Sequence, residues 1–217
     1  HVTISETSNT RPAMPLQNRV TPFGEIVAVP SRGTLMGNRG GKFHRDDKTL
    51  GRRRWSTRHW IACELTYKDH HYEMMGKNWT ALFFLDEVTA LAAGHRPCFY
   101  CRRKEAKHFL FLADPEMSAP MADDILHGQR RASRPADVPL PTARIGDLPD
   151  GAMIACDQEA FAVRGKQLLR WSFDGYTTAL PRGALRSATL LTPPLFVAIL
   201  ERGYQPRWHA SADALAQ

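Results

Sequence analysis

Hydrophobic residues in the first half of the chain follow short alternating or continuous patterns. The segment 60–68 places Ile61, Cys63 and Leu65 on one face, which is typical of a half-buried strand. The same reasoning predicts further extended segments at 24–29 and 79–85, each a short apolar stretch. The polar, Gly- and Arg-rich segment 37–59 has no apolar period and is predicted to be a long exposed loop.

Helical spacing appears next along the chain. Asp86 is a predicted N-cap and Gly94 a predicted stop for a short helix between them. A second helix is predicted over 104–114, where apolar residues recur every three or four positions. A third is predicted around 121–131, followed by an extended Pro-rich linker.

The pattern after residue 150 is mostly β. Predicted strands lie at 152–156, 160–165 and 167–173, another ends within 187–194, and one helix covers 195–203. The sequence therefore predicts an α+β protein, with a sheet-and-helix N-terminal half and a β-rich C-terminal half that contains one helix. The predicted divisions are a disordered N-terminus at 1–18, a first domain at 19–113, a helix and linker at 114–149, and a second domain at 150–217. Met14 is the predicted natural start.

Composition places few limits on function. Hydrophobic residues make up 43% and charged residues 24% of the 217 positions, as in ordinary soluble globular proteins. Neither a membrane-spanning stretch nor a signal peptide is evident, so a cytoplasmic location without membrane association is expected. A chain of this length does not need disulfides to fold, and reduced cysteines are expected there.

The segment AGHRPCFYCRRKEA carries the clearest chemical signal. Cys98 and Cys101 are spaced so that both thiolates reach one tetrahedral ion, as in half of a zinc site. A redox pair would require a helix N-terminus after a core strand, and this pair follows a helix. The third interpretation is a pair of buried cysteines with no chemical role.

A longer segment around this pair resembles a known family. WTALFFLDEVTALAAGHRPCFYCRRKEA is similar to the second half of the Ada-type zinc-binding module of bacterial DNA methylphosphotriester repair proteins. Phe83-Phe84, Gly94, Arg96-Pro97-Cys98 and Cys101 stand at the family's spacing, and His95 replaces an aromatic residue. The resemblance covers about 28 residues and implies an Ada-like fold, zinc and a DNA partner.

The family's first cysteine pair, which includes its methyl-accepting nucleophile, has no counterpart here. Residues 65–78 contain no cysteine, so methyl acceptance is not predicted. By spacing, His71 lies near one of the lost ligand positions, and Cys63 lies on the preceding strand. The predicted ligand set is therefore Cys98, Cys101, His71 and Cys63, with a metal-free Ada-like fold as the alternative.

Positive charge is concentrated beside these elements. The formal net charge is +7, which favours polyanionic partners such as DNA or RNA. Trp55, His59 and Trp60 place aromatic rings among the basic residues, a combination that suits phosphates and unpaired bases. The predicted phosphate contacts are Arg52, Arg53, Arg54, Arg102 and Arg103.

The sequence thus predicts a nucleic-acid-binding protein with an Ada-like, zinc-binding fold and no assigned reaction. One alternative is a metal-dependent hydrolase acting on nucleic acid or nucleotides. A second is a metal-free protein–protein adaptor.

Overall fold

The structure is a computed structural model that describes residues 14–68, 74–131, 144–185 and 188–215. It contains two β-sheets and five α-helices within those ranges. The predicted α+β class is confirmed.

The first sheet has six strands in the order β2-β1-β5-β3-β4-β6. Its central pairs are antiparallel, whereas β1 with β5 and β4 with β6 run parallel. The strands are β1 (Gln17–Val20), β2 (Ile26–Ala28), β3 (Leu35–Arg39), β4 (Trp60–Cys63), β5 (Leu82–Phe84) and β6 (Arg96–Pro97).

Strand β3 corrects the prediction that the exposed loop begins at residue 37. Gly37 pairs with Ala62 on one side and with Leu82 on the other. A Cβ atom at Gly37 would lie 2.2 Å from the carbonyl oxygen of Ile61. Glycine here permits a close backbone approach inside the sheet, so its presence does not indicate a loop.

The first four helices agree with the predicted positions to within a few residues, whereas the short fifth helix, Ser211–Leu215, corrects the prediction of one helix in the C-terminal half. Asp86 caps the first helix by accepting a hydrogen bond from the backbone N–H of Thr89, at 2.9 Å. Gly94 follows that helix with φ = +81°, where a Cβ would also meet the side chain of Arg130. The helices are α1 (Glu87–Ala92), α2 (Arg103–Ala113), α3 (Ala119–Gln129), α4 (Pro194–Glu201) and α5 (Ser211–Leu215).

The second sheet contains the predicted strands of the C-terminal half and one strand, at Gly175–Pro181, that was not predicted. Its five strands pair in the antiparallel order β10-β9-β8-β7-β11. They are β7 (Met153–Cys156), β8 (Glu159–Arg164), β9 (Gln167–Ser172), β10 (Gly175–Pro181) and β11 (Thr189–Leu190). The Pro-rich linker predicted after α3 lies largely in 132–143, outside the described residues.

One hydrophobic core contains residues from both halves of the chain. Phe109 on α2 and Leu126 on α3 are fully buried in the same cluster as Ile154 on β7 and Phe196 on α4. The rings of Phe109 and Phe196 meet edge to face, with centroids 4.9 Å apart. The helices of the N-terminal half therefore pack against the C-terminal sheet and its helix.

Candidate metal centre and nucleic-acid interface

Three cysteine sulfur atoms converge at one end of the first sheet. The Sγ atoms of Cys63, Cys98 and Cys101 all lie within 4.8 Å of one another. Cys63 is the last residue of β4, and the other two occupy the turn between β6 and α2. The cluster thus joins residues 38 positions apart in the sequence.

Backbone pairing explains why the turn meets Cys63. Strand β6 runs parallel to β4, with Pro97 opposite Ala62, and the N–H of Cys98 continues this pairing by donating to the carbonyl of Ala62, at 3.0 Å. The N–H of Arg102 then donates to the carbonyl of Cys98, at 2.9 Å, which closes the turn. Both cysteines of the turn are thereby held beside the end of β4.

The surroundings of the sulfur atoms suit at least one thiolate. Backbone N–H groups donate to sulfur from Tyr100 to Cys98, at 3.3 Å, and from Glu64 to Cys101, at 3.4 Å. The pKa of Cys98 is lowered because the thiols of Cys101 and Cys63 hydrogen-bond to it. The pKa of Cys63 is raised because its thiol is held as a donor by Cys101 and Cys98 and is largely buried. A cation at the centre of the three would remove the cost of ionising the remaining thiols.

The donor set fits zinc. A tetrahedral ion with Zn–S bonds of about 2.3 Å requires sulfur–sulfur separations of about 3.8 Å, which is compatible with the observed cluster. Thiolates are soft ligands, and they select zinc over the hard cations magnesium and calcium. Of the predicted ligands, His71 lies outside the described residues, so the structure brings together the three cysteines of that set.

The cysteine turn also lies directly before α2, a position that a redox pair can use. This corrects the sequence-based argument that the pair merely follows a helix. The third sulfur atom nevertheless distinguishes the cluster from a two-cysteine redox site, since it provides a further ligand for one ion.

The predicted phosphate-binding arginines occupy different environments. Arg102 is only 2% exposed, and its guanidinium lies 2.8 Å from the carboxylate of Glu87, so this side chain is a buried structural cation and not a surface contact. Arg54 is partly buried and donates to carbonyls of its own loop. Arg52, Arg53 and Arg103 are exposed.

Two buried arginines lie over the ring of a buried tryptophan, a feature that sequence reasoning missed. The guanidinium carbons of Arg39 and Arg130 lie 4.1 Å and 4.6 Å from the ring of Trp60. Burial lowers the pKa of each arginine to about 9. At Arg39 the charges of Arg130 and Arg54 add to this effect on the pKa, whereas at Arg130 the carboxylate of Asp123 opposes it. Trp60 itself is fully buried and is not available to stack on a base.

A buried carboxylate on α3 organises the surface next to this stack. Asp123 accepts two hydrogen bonds from Arg96, at 3.0 Å and 2.8 Å, and its Oδ2 lies 2.7 Å from Nδ1 of His59. The side chain of His59 is 56% exposed, whereas that of Asp123 is 1% exposed. A histidine oriented by a buried carboxylate is a common feature of binding and catalytic sites. No local sequence pattern predicts this pair, because its members lie 64 residues apart.

Comparisons with family models, with curated proteins and with solved structures each found no match to this chain. Within the described ranges, no helix has the length and hydrophobicity needed to cross a membrane.

Proposed function

We propose that this protein binds nucleic acid and that its N-terminal sheet is held by a structural zinc ion bound to Cys63, Cys98 and Cys101. The observation that carries the metal-binding part of this proposal is the convergence of three cysteine sulfur atoms from β4 and from the turn between β6 and α2. The resemblance to the Ada-type module supports the same proposal, because Cys98 and Cys101 stand in that family's metal-binding positions. His71 is retained as the proposed fourth ligand.

The chemistry of three thiolates favours a structural ion over a catalytic one. Three negative ligands more than balance the charge of Zn²⁺, so the ion is a weak Lewis acid. The closed, Cys-rich sites of proteins are mostly structural, whereas catalytic zinc usually has histidine and carboxylate ligands with one open position. The metal-dependent hydrolase is therefore the second candidate, since the candidate ligands among the described residues are all cysteines. Loss of turnover on chelation, with the fold intact, would support the hydrolase.

The nucleic-acid partner is supported by exposed cations on the loop between β3 and β4. Lys42 is paired with Asp46, and Arg58 with Asp124. Arg52 and Arg53 have exposed side chains and no ion-pair partner within the described part of the chain. Such cations can neutralise phosphates and release counterions, which gives salt-dependent affinity.

Metal content tests the first part of the proposal. Elemental mass spectrometry is expected to find about one zinc per chain in the wild type and little in Cys98→Ser/Cys101→Ser or Cys63→Ser. Cys156→Ser is the matched control, since Cys156 lies on β7 of the other sheet and is expected to leave the zinc content unchanged. Absence of metal from the wild type, or equal loss in the Cys156→Ser control, would refute the zinc site.

Salt-dependent binding tests the second part. Fluorescence anisotropy with a labelled oligonucleotide is expected to show affinity that falls steeply with salt. Arg52→Glu/Arg53→Glu is expected to reduce the slope of log affinity against log salt by about 2, or about 1 per phosphate contact. Lys166→Glu, on the β8–β9 turn, is the control for charge reversal at an exposed position. Absent or salt-insensitive binding would refute a nucleic-acid function.

A further inference from the structure

We infer that the pocket between the β3–β4 loop and α3 binds one unpaired nucleotide, so that the preferred partner is single-stranded nucleic acid. This inference rests on the proposed nucleic-acid function and adds to it a defined site and a substrate class. The pocket has a volume of about 530 Å³, and its walls include Trp55, Arg58, His59, Pro120, Asp124 and His127. A cavity of that size is within the range that accommodates a small organic ligand.

Trp55 supplies an aromatic surface for a base. Trp55 is partly exposed, in contrast to the buried Trp60, whose ring centroid lies 5.9 Å from that of Trp55. His127 contacts Trp55 edge to face from α3, with centroids 6.1 Å apart, and so restricts the orientation of the indole. Stacking on an oriented indole favours any unpaired base, because every base has a π-face.

Arg58 and His59 supply donors for a phosphate next to that base. Arg58 is paired with Asp124 at 2.8 Å, but both side chains are more than half exposed. A surface pair of this kind contributes little, so a phosphate can replace the carboxylate at small cost. Asp123 occupies Nδ1 of His59, which leaves Nε2 as the ring nitrogen for a ligand.

The loop segment 54–58, which forms one wall of the pocket, is held in place by the buried side chains of Arg130, Arg39 and Trp60. Arg130 donates to the carbonyl of Arg58, at 2.9 Å, and Arg39 donates to that of Arg54, at 3.3 Å. Nε1 of Trp60 donates to the carbonyl of Thr57, at 3.0 Å. Three side chains therefore hold one five-residue segment in place. Such preorganisation reduces the entropy lost when a ligand binds.

The electrostatics of the same region favour an anion. Four guanidinium groups lie in or behind the pocket, from Arg39, Arg58, Arg96 and Arg130. Two carboxylates, Asp123 and Asp124, oppose them. The excess of positive charge is matched by a phosphodiester, whereas a neutral ligand would leave it unbalanced.

The test compares single strands with duplexes on the same variants. Dissociation constants are measured for a 12-nucleotide oligothymidine, a 12-nucleotide oligouridine and a 12-base-pair DNA duplex at one salt concentration. Trp55→Leu is expected to weaken binding to at least one single strand by about tenfold and to change duplex binding by less than about twofold, since bases in a duplex stack on one another. His59→Gln is expected to show the same selectivity with a smaller loss, and Lys166→Glu is the control. The oligothymidine and oligouridine arms distinguish DNA from RNA as the source of the nucleotide.

Equal weakening of single-strand and duplex binding, or no weakening of either, would overturn the pocket and leave the proposed function standing. If the wild type binds no nucleic acid, the proposed function fails, and the pocket is tested with uridine 5′-monophosphate. Nuclear magnetic resonance of the His59 ring then tests whether this nucleotide binds in the pocket. A shift of the His59 ring signals that is absent in Trp55→Leu supports the pocket, and no shift in the wild type overturns it.

Discussion

The guanidinium of Arg96 donates two hydrogen bonds to the carboxylate of Asp123, at 3.0 Å and 2.8 Å. Arg96 lies on β6, two residues before Cys98, and Asp123 lies on α3 and orients His59. One bidentate pair thus connects the candidate metal turn to the wall of the candidate nucleotide pocket. Asp123 also lies 3.5 Å from the guanidinium of Arg130, so this carboxylate has cationic neighbours on both sides.

Removal of the Asp123 carboxylate is expected to be costly. Asp123→Ala leaves Arg96 buried and without its bidentate partner, so the free energy of unfolding is expected to fall by about 3–5 kcal/mol. Asp124→Ala removes the neighbouring exposed carboxylate and is expected to cost less than about 1 kcal/mol. Urea denaturation of the two variants measures the difference, and equal costs would contradict the assigned role of Asp123.

Metal removal is expected to destabilise the first sheet. If the free zinc concentration is about 100 times the dissociation constant, zinc binding adds about 2.7 kcal/mol to the free energy of unfolding. For a chain of this size, that corresponds to a decrease in Tm of about 5–10 °C on chelation. Differential scanning calorimetry with and without a chelator measures this change.

Cys63→Ser is expected to lower Tm and to abolish the further decrease caused by the chelator. Cys156→Ser is expected to respond to the chelator as the wild type does, because its sulfur is outside the cluster. A chelator effect that persists in full in Cys63→Ser would exclude Cys63 as a ligand.

Local patterns predicted most of the elements, because caps and periodicity are local properties. Asp86, Gly94 and the apolar spacing of α2 identified two helices directly from neighbouring residues. Strand β3 was partly missed because Gly37 and Arg39 are atypical of a strand. Gly37 is needed for close approach to Ile61, and Arg39 is buried by stacking on Trp60.

The candidate site was predictable only where the sequence carried a motif. Cys98 and Cys101 were identified by their spacing, and Cys63 through a resemblance, whereas the closeness of all three depends on how β6 pairs with β4. Arg102 was wrongly predicted to contact phosphate. Arg102 and Arg103 are adjacent, and the sequence alone does not show that Arg102 faces the core whereas Arg103 is exposed. Long-range pairs such as His59 with Asp123 left no local trace.

The pair of Glu87 and Arg102 is expected to stabilise the contact between the two halves of the chain. Glu87 accepts hydrogen bonds from the hydroxyl of Tyr204, at 2.7 Å, and from the N–H of Arg207, at 2.9 Å. Glu87→Ala would remove the 2.8 Å carboxylate contact of Arg102 and leave the longer 3.5 Å contact to Glu64, so we expect a loss of about 3–5 kcal/mol. Glu105→Ala, at an exposed position of α2, is the control and is expected to cost less than about 1 kcal/mol. Chemical denaturation compares the two, and similar losses would contradict this role.

His95 is expected to make the stability of the protein fall at mildly acidic pH. The ring is fully buried, and its Nε2 accepts a hydrogen bond from Nε of Arg39, at 3.2 Å. Burial, together with the charges of Arg39 and Arg130, holds the pKa of His95 well below 6.5. The folded protein therefore keeps this imidazole neutral at pH values where the unfolded chain protonates it.

The sign of the effect follows from this difference in bound protons. Between about pH 6.5 and the lowered pKa, the unfolded state binds one more proton, so stability decreases as the pH falls, by up to about 1.4 kcal/mol per pH unit.

His95→Phe removes the titrating group and keeps an aromatic ring against Phe84, whose ring centroid lies 4.6 Å from that of His95. The variant is expected to be less stable at pH 7.5, by about 1–3 kcal/mol, because Nε of Arg39 loses its acceptor. The difference in the free energy of unfolding between wild type and variant is expected to be smaller by about 1 kcal/mol at pH 5.5. Urea unfolding at both pH values measures this difference, with His108→Gln as the control for an exposed histidine. A difference that stays constant would mean that His95 does not cause the acid sensitivity.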